Sequence, residues 1–188
     1  MYHKLRKNPA LAGIASEVEI FTPEECDTIV SLALSLEEKD VPVFTESGLK
    51  KDSSIRSAAQ YVMTQDKFPG LHSHVRKVFQ TGNQMKFSYN DIPSIQVIRY
   101  RQGDFYLPHT DWSVNKSRRK LSLSIQLSPE DDYLGGDVVI HAGPEPVSIS
   151  KQMGVGTVWP SWTLHEVKPI SKGERWALVA WAEGTPFS

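Results

Sequence analysis

Cysteine is almost absent from this chain of 188 residues, in which Cys26 is the only one. A single cysteine cannot close an intrachain disulfide, and a zinc site built from four cysteines is excluded. A chain without a disulfide framework is typical of a reducing compartment.

Long apolar runs are also missing. Residues 1–9 carry positive charge, but no apolar stretch follows them. We therefore expect neither a secretory signal peptide nor a membrane-spanning helix, and we predict a cytoplasmic protein.

An excess of positive charge is the third missing feature. The 21 basic and 22 acidic side chains nearly cancel, which leaves a formal net charge of −1 at pH 7. Proteins that bind nucleic acid usually carry a basic excess, so we expect no nucleic-acid partner. Internal repeats and low-complexity tracts are absent too. The length fits a single domain over residues 1–188.

Residues 16–83 have the pattern of a helical scaffold. Thr22-Pro23-Glu24-Glu25 combines a hydroxyl cap, a proline at the first helical position and a glutamate three residues after the cap. Apolar residues then recur at helical spacing to about Glu38. A second helix is predicted from about Pro69 to Phe79, ending near Gly82. Both apolar stripes are interpreted as core packing.

The segment between the helices is predicted to be less regular. Thr45–Ser54 is polar and contains Gly48, which favours a mobile loop that is a candidate lid. A strand is expected from Arg56 to Met63. His72 and His74 lie on the second helix, where side chains two apart face different directions, so we do not expect them to share a metal.

From about residue 84 to residue 188, short apolar stretches alternate with turn residues. This spacing is typical of a sandwich or barrel rather than of alternating strands and helices. We predict a mainly β fold of the α+β class, a jelly roll with the N-terminal helices packed on one sheet. The predicted strands are Ser94–Arg101, Lys120–Leu127, Asp137–His141, Val147–Lys151, Thr157–Trp159, Leu164–Val167 and Arg175–Trp181.

A His-x-Asp pair closes the segment from Tyr100 to Asp111. Alternate residues of an extended strand share a face, so the side chains of His109 and Asp111 are expected to point to the same place. One further histidine there would give two nitrogens and one oxygen on one side of a metal. Non-heme Fe(II) oxygenases use such a set and leave the opposite positions open. Alone, the pair fits a hydrogen bond at a strand end equally well.

His165 is the candidate for that further histidine, and His141 is its rival. His141 has no carboxylate two residues away, so we interpret it as a supporting or surface histidine. Ten residues after His165 comes Arg175, which shares a strand face with Ala177 and Val179 and is expected to point inward. A buried guanidinium needs an anionic partner, and a dicarboxylate co-substrate would supply one.

The joint pattern resembles the Fe(II)/2-oxoglutarate-dependent dioxygenases. Within that family it is most similar to the prolyl 4-hydroxylase branch, and above all to PKHD-type hydroxylases. The likeness is strong over about Ser94 to Ala182. It is carried by Tyr100-x-x-Gly103-x-x-Tyr106-x-x-His109-x-Asp111, Gly135-Gly136, Trp159-Pro160-Ser161, His165-x-Val167-x-Pro169, Gly173-x-Arg175 and Trp181.

The resemblance implies a double-stranded β-helix core of cupin-like type, with His109, Asp111 and His165 holding Fe(II). It implies that Arg175 binds the distal carboxylate of 2-oxoglutarate and that Tyr100 adds a hydrogen bond to it. The implied reaction uses O2, releases succinate and CO2, and hydroxylates an unactivated C–H bond. Ascorbate is a candidate reductant. Three tryptophans are candidates for the wall of the site: Trp112, Trp159 and Trp162.

Comparison with other branches of the family indicates which type of reaction to expect. Asp111 stands where related halogenases have a small residue, which favours hydroxylation. Trp181 stands where related nucleic-acid demethylases carry a second arginine. Many prolyl hydroxylases use lysine where this chain has Arg175, whereas PKHD-type and oxygen-sensing members use arginine. The identity of the residue that binds the co-substrate therefore does not determine the substrate.

The expected substrate is a peptidyl residue, with proline foremost. A free amino acid or another small anionic molecule is the alternative, and a non-catalytic module that retains a metal is the third hypothesis. Thr45–Ser54 and Ser113–Lys120 are expected to carry recognition. The chain stops soon after Trp181, so the helical extension of longer PKHD-type proteins is expected to be absent; a monomer is the default. The arginines expected around the mouth are Arg56, Arg99, Arg101, Arg118 and Arg119.

Overall fold

A computed structural model describes residues 4–41, 43–45, 48–50 and 52–186. Two α-helices lie in these ranges, α1 (Pro23–Leu34) and α2 (Pro69–Gly82). The rest is mainly strands, which in chain order are β1 (Lys4–Arg6), β2 (Ser16–Glu19), β3 (Lys39–Asp40), β4 (Val43–Thr45), β5 (Gly48–Lys50), β6 (Arg56–Ser57), β7 (Ala59–Met63), β8 (Ile95–Tyr100), β9 (Phe105–His109), β10 (Arg119–Gln126), β11 (Tyr133–Gly135), β12 (Val138–His141), β13 (Val147–Ser148), β14 (Val155–Pro160), β15 (Leu164–Val167), β16 (Ile170–Gly173) and β17 (Arg175–Glu183).

Two antiparallel sheets form the jelly roll. The large sheet has the strand order β1-β2-β14-β10-β17-β8-β7-β3, and the small sheet has the order β13-β12-β15-β9-β6. The predicted mainly β fold with two flanking helices is therefore confirmed. Within the described residues, no helix has both the length and the apolar character needed to cross a membrane.

Helix α1 begins where the sequence predicts and ends earlier. Thr22 Oγ accepts a hydrogen bond from the N–H of Glu25, while the Glu25 carboxylate accepts one from the N–H of Thr22. The predicted end at Glu38 is wrong, because the helix stops at Leu34. There the Ser35 hydroxyl donates to the carbonyl of Leu32 and competes with a further helical turn.

The segment from Arg56 to Met63 is two strands rather than the predicted single one. β6 pairs with β9 in the small sheet, while β7 pairs with β8 in the large sheet. The chain passes from one sheet to the other at Ala58. This short segment therefore ties the two layers together.

The region expected to be a helical scaffold also supplies strands. β2, β3 and β7 join the large sheet and β6 joins the small one. In the predicted loop Thr45–Ser54, β4 and β5 form a two-stranded ribbon, while positions 46, 47 and 51 lie outside the described residues. The mobility of this loop stays a prediction.

The remaining strand boundaries differ modestly from the expected ones. β14 and β17 are longer than predicted, and β13 is shorter, because it pairs with β12 over only two residues. Eight strands have no counterpart among the predicted strand segments: β1, β2, β3, β4, β5, β9, β11 and β16.

Alternation along the strands of the large sheet separates two apolar layers. On β17, Trp176, Leu178 and Ala180 pack toward the helices. The opposite face of the same strand presents Arg175, Ala177 and Val179 to a pocket between the sheets. The helices thus bury the outer face of the large sheet, and the inner face is left to form the site.

Candidate active site

Three side chains that can bind a metal converge between the sheets. Nε2 of His165 lies 3.5 Å from Oδ2 of Asp111, and Nε2 of His109 lies 4.0 Å from Oδ1 of Asp111. One donor atom from each residue lies within 4.8 Å of the others. The structure therefore brings the predicted ligand set together. Among the described residues, it is the one cluster of three or more histidine, cysteine or acidic side chains with this geometry.

Strand pairing places the two histidines. His165 is the direct cross-strand partner of His109, whereas Val167 pairs with Tyr106, so β9 contains one extra residue between the two pairs. Pro108 lies in this bulge, where the missing N–H of proline costs no ladder hydrogen bond. Because of the extra residue, Tyr106 and His109 lie on one side of the strand, and their rings stack with centroids 3.4 Å apart.

Asp111 is positioned differently from the sequence prediction. β9 ends at His109, so Asp111 lies in a bend beyond the strand rather than within it. Its N–H donates to the carbonyl of Ser161, which follows β14, and its Oδ2 accepts a hydrogen bond from Ser122 at 2.7 Å. A neighbouring loop and a buried hydroxyl thus aim the carboxylate at the histidines.

The hydrogen bonds of both histidines favour one tautomer. Nδ1 of His109 lies 2.8 Å from the carbonyl of Leu107, and Nδ1 of His165 lies 2.9 Å from the carbonyl of Thr163. A carbonyl only accepts, so each Nδ1 carries the proton. Each Nε2 therefore carries a lone pair on the side that faces Asp111. A metal ligand needs such a lone pair.

The electrostatics of the cluster favour its deprotonated form. Burial lowers the pKa of His109 to about 3, and the neighbouring His165 contributes in the same direction. Burial alone would raise the pKa of Asp111, but positive charge at His165, His109 and Arg119 outweighs it and holds that pKa well below its usual range. A neutral imidazole beside a carboxylate is what a divalent cation needs.

Arg175 lies deep in the same pocket, which has about 490 Å³ of free space when its open mouth is included. Its side chain is only 1% exposed. Nε and one terminal nitrogen donate to Oε1 of Gln126, at 3.1 and 2.8 Å. Among the described residues, no carboxylate lies within ion-pair distance of this guanidinium. Its hydrogen bonds therefore go to a neutral amide and not to an anion.

Tyr100 is the cross-strand partner of Arg175 on β8, and its ring lies 5.4 Å from the guanidinium carbon. It lines the pocket as well. The sequence-predicted pair Arg175 and Tyr100 is therefore brought together at the end of the pocket formed by β8 and β17.

Sequence reasoning missed the polar face of β10. Leu121, Leu123 and Ile125 pack into the core under the helices, and the residues between them are buried on the side of the site: Ser122, Ser124 and Gln126. The signal was present as strict alternation of apolar and polar residues in Leu121–Leu127. A polar face that alternates with a core-facing one is usually assigned to solvent, and here it faces a ligand cavity instead.

Gly136 allows the chain to pass close to Arg175. It has φ of 64°, and a Cβ there would lie 2.3 Å from Cδ1 of Ile170 and 3.2 Å from Cδ of Arg175. Gly135 precedes it with φ of 77° and no room for a Cβ against the carbonyl of Pro169. Both positions therefore require glycine, because the turn has positive φ and the chain passes close to its neighbours.

Only one of the three tryptophans predicted to form the wall lines this pocket. Trp159 does so, with its ring edge-on to His165 at 5.0 Å. Trp162 is 42% exposed and packs against Phe87 outside the pocket, and Trp112 is not part of the lining either. The second tryptophan of the wall is Trp181.

The arginines expected at the mouth divide into two groups. Arg99 pairs with Glu174 at 2.6 Å, and Arg101 binds both oxygens of Glu38, so neither faces the pocket. Arg118 is exposed and lies near Glu183. Only Arg56 and Arg119 remain close to the metal cluster.

The other histidines lie outside the cluster. Nε2 of His141 is 2.8 Å from Glu166, and Nε2 of His72 is 2.8 Å from the carbonyl of Met63. His74 packs against Phe21 with ring centroids 5.0 Å apart. None of the three belongs to the metal cluster, in agreement with the sequence prediction.

Comparison with known proteins shows which families this chain resembles. Residues 95–183 match the 2OG-Fe(II) oxygenase superfamily. A PKHD-type hydroxylase of Idiomarina loihiensis is 34% identical over 93 residues, which are 49% of this chain and 43% of that protein. A PKHD-type hydroxylase of Maricaulis maris is 38% identical over 88 residues, 46% of this chain and 40% of the relative. The matched part is less than half of either relative.

Solved structures share the fold over most of the chain. A Pseudomonas putida prolyl-4-hydroxylase superposes with a TM-score of 0.72 and 18% identity, covering 93% of this chain and 95% of that one. A Trichoplax adhaerens prolyl hydroxylase, in complex with a peptide fragment of hypoxia inducible factor, gives 0.72 and 19%, covering 90% and 83%. The segment that holds the metal cluster is therefore similar to the 2OG-Fe(II) oxygenases and to PKHD-type hydroxylases, and the fold of the chain is that of the prolyl hydroxylase structures.

Proposed function

We propose that the protein is an Fe(II)- and 2-oxoglutarate-dependent hydroxylase that acts on a peptidyl residue, with proline foremost. The observation that carries the proposal is one pocket lined by both the three-residue cluster and the buried guanidinium of Arg175. The family relationship supports the reaction class, and the peptide-bound hydroxylase of Trichoplax adhaerens supports the substrate class.

The donor set fits ferrous iron. Two imidazole nitrogens and one carboxylate oxygen, all from one side, are the ligands that non-heme iron oxygenases use. His109, Asp111 and His165 would hold the metal through Nε2, a carboxylate oxygen and Nε2. Bound there, iron would supply the activation of O2 that no amino-acid side chain provides.

The unpaired guanidinium fits a dicarboxylate. Arg175 is buried without an anion among the described residues, a state that costs several kcal/mol unless a ligand completes it. A carboxylate matches the guanidinium fork with two parallel hydrogen bonds. Tyr100 lies beside it and would donate its hydroxyl to the same carboxylate. 2-Oxoglutarate would then extend from Arg175 toward the cluster.

The protein itself would orient the reactants and exclude water. Ser122 and the N–H of Asp111 hold the carboxylate ligand, and the two carbonyl acceptors hold the imidazoles. Trp159 and Trp181 cover apolar sides of the pocket. Retention of Asp111 as a third protein ligand favours hydroxylation over halogenation. Ascorbate as a reductant stays a prediction.

The proposal is tested by adding Fe(II) and 2-oxoglutarate to the protein without oxygen. We expect a weak visible charge-transfer band from the chelated metal. Replacing His165 or Asp111 by alanine should abolish it, while His141→Ala, a matched histidine bound to Glu166, should keep it. A band that survives His165→Ala would refute the ligand set.

Turnover separates an enzyme from a binding module that retains a metal. With oxygen admitted, we expect succinate to form faster when a proline-containing peptide is present, together with a peptide product heavier by one oxygen atom. Stimulation by free proline alone would favour the small-molecule alternative. A charge-transfer band without any succinate, under every substrate condition, would favour a non-catalytic module.

A further inference from the structure

Two guanidinium groups near the metal cluster lie over aromatic rings. The Cζ atom of Arg56 lies 4.4 Å from the ring centre of Tyr106, the residue stacked on His109. The Cζ atom of Arg119 lies 3.8 Å from the ring centre of Trp181. An aromatic face attracts a cation but leaves its N–H groups and its net charge available to a ligand.

Neither guanidinium uses its hydrogen-bond donors within the part of the chain that the structure describes. Nε of Arg56 is buried without an acceptor. Arg119 is only 16% exposed, and its nearest acidic atoms, on Asp111 and Glu183, are 3.8 and 3.9 Å away, beyond hydrogen-bond length. A buried donor without an acceptor is costly, so Nε of Arg56 indicates a missing acceptor.

Lys116 is a third cation near the metal cluster. It ends the short 3-10 helix Val114–Lys116, inside the segment expected to carry recognition. Burial lowers its pKa to about 8, and the charges of Arg119 and Arg56 lower it further, against the attraction of Asp111. Lys116 therefore lies within electrostatic range of Arg119, Arg56 and Asp111.

The charge balance of the pocket favours an anion. Arg56 and Arg175 line the pocket with Asp111; Arg119 and Lys116 lie near that carboxylate, and Glu183 lies near Arg119. The two charges of ferrous iron and the two of 2-oxoglutarate cancel each other. A positive excess therefore persists after the metal and the co-substrate have bound, and the substrate is the remaining component.

We propose that Arg56, Lys116 and Arg119 form a receptor for a carboxylate group of the substrate, next to the reacting carbon. The proposal rests on the proposed function. A carboxylate accepts up to four hydrogen bonds and suits the planar guanidinium forks. It has two sources, an acidic side chain next to the target residue of a peptide, or the α-carboxylate of a free amino acid.

The test is anaerobic calorimetric titration of the protein, with and without Fe(II) and 2-oxoglutarate, using two matched probe pairs. One pair is an acetylated and amidated peptide with aspartates on both sides of proline, and its asparagine counterpart. The other pair is proline and prolinamide. For at least one pair we expect the wild type to bind the carboxylate member roughly tenfold or more tightly, because charge-assisted bonds are the strong ones.

The variants Arg56→Gln and Lys116→Gln should each reduce this preference severalfold and together remove it, without weakening the neutral probe. Arg101→Gln is the matched control, because that guanidinium is already bound by Glu38 and should leave the preference intact. A preference in the peptide pair assigns the carboxylate to a peptide, and one in the proline pair assigns it to a free amino acid.

Equal binding within both pairs, no binding of any probe at millimolar concentration, or a preference that survives the double variant would each overturn the receptor. The proposed function is judged separately by the charge-transfer band and by succinate formation in the wild type. A band with no carboxylate preference would therefore reject the receptor alone.

Discussion

Nε2 of His165 lies 3.5 Å from Oδ2 of Asp111, although the first residue is on β15 and the second follows β9. The approach depends on the antiparallel pairing of these two strands and on the hydrogen bond from Asp111 to Ser161. The cluster therefore forms only when the small sheet is folded, because no single local segment contains all three side chains.

Ser122 fixes the orientation of the Asp111 carboxylate, so its removal should weaken metal binding. We expect Ser122→Ala to lower Fe(II) affinity roughly 10–100-fold, the usual effect of losing a partner of a metal ligand. Metal titration of the purified protein measures it. Ser124→Ala, on the same face of β10, is the control and should bind iron nearly as the wild type does. Equal affinity of both variants would contradict the orienting role of Ser122.

Gln126 is the one hydrogen-bond acceptor of Arg175 found in the described chain. Gln126→Glu would place a permanent carboxylate on the guanidinium and compete with the co-substrate. We expect the 2-oxoglutarate concentration for half-maximal charge-transfer absorbance to rise about tenfold or more. The melting temperature should not fall, since the new pair is internally compensated. An unchanged 2-oxoglutarate requirement would mean that Arg175 is not the anchor.

Gly136 and Gly103 offer a matched test of crowding beside Arg175. Both have positive φ, 64° and 87°, but a Cβ at Gly103 would meet nothing within 4 Å. Alanine at either position incurs the backbone cost of about 1–2 kcal/mol. In urea unfolding, Gly136→Ala should lower the free energy of unfolding clearly more than Gly103→Ala does. It should also raise the concentration of 2-oxoglutarate that the protein requires. Equal losses of unfolding free energy in the two variants would show that Ile170 moves away from the added Cβ at no cost.

Cys26 should report unfolding through its reactivity. Burial, with the charges of Asp27 and Glu25, raises the pKa of its thiol from 9.0 to about 12. We expect iodoacetamide to label the native protein at pH 8 far more slowly than the protein in urea, because the thiolate is the nucleophile. Rapid labelling of the native protein would contradict the burial.

The thiol of Cys26 should also make the free energy of unfolding depend on pH under alkaline conditions. Below pH 9 both the folded and the unfolded states keep the proton. Between pH 9 and 12 the unfolded state loses it first, so the contribution of Cys26 to the free energy of unfolding declines as the pH rises. A Cys26→Ala variant should lack this component of the alkaline decline.

The sequence predicted the cluster and the anchor because their spacing follows a family pattern and strand alternation. His109, Asp111 and His165 converge as expected, and Arg175 is buried on the expected face. Helix α1 was located from its capping box, since that signal is local.

What the sequence did not predict depends on contacts between distant segments. The division of Arg56–Met63 between two sheets depends on which strands lie on either side of it. Gln126 and Ser122 are polar residues that local pattern assigns to solvent, and only the fold turns their face toward the cluster. The outward position of Trp162 follows from its packing on Phe87, which no spacing rule indicates.

The bulge at Pro108 gives the spacing of Tyr106 and His109 a structural meaning. In a regular strand, residues three apart project to opposite sides, so the aromatic ring and the metal ligand could not stack. The extra residue in β9 shifts the alternation of side chains by one position. The three-residue separation of Tyr106 and His109 on one side of the strand therefore indicates a bulge in the strand pairing. Shortening this strand by one residue would keep the histidine in place while turning the tyrosine, and with it the support under Arg56, to the outside of the sheet.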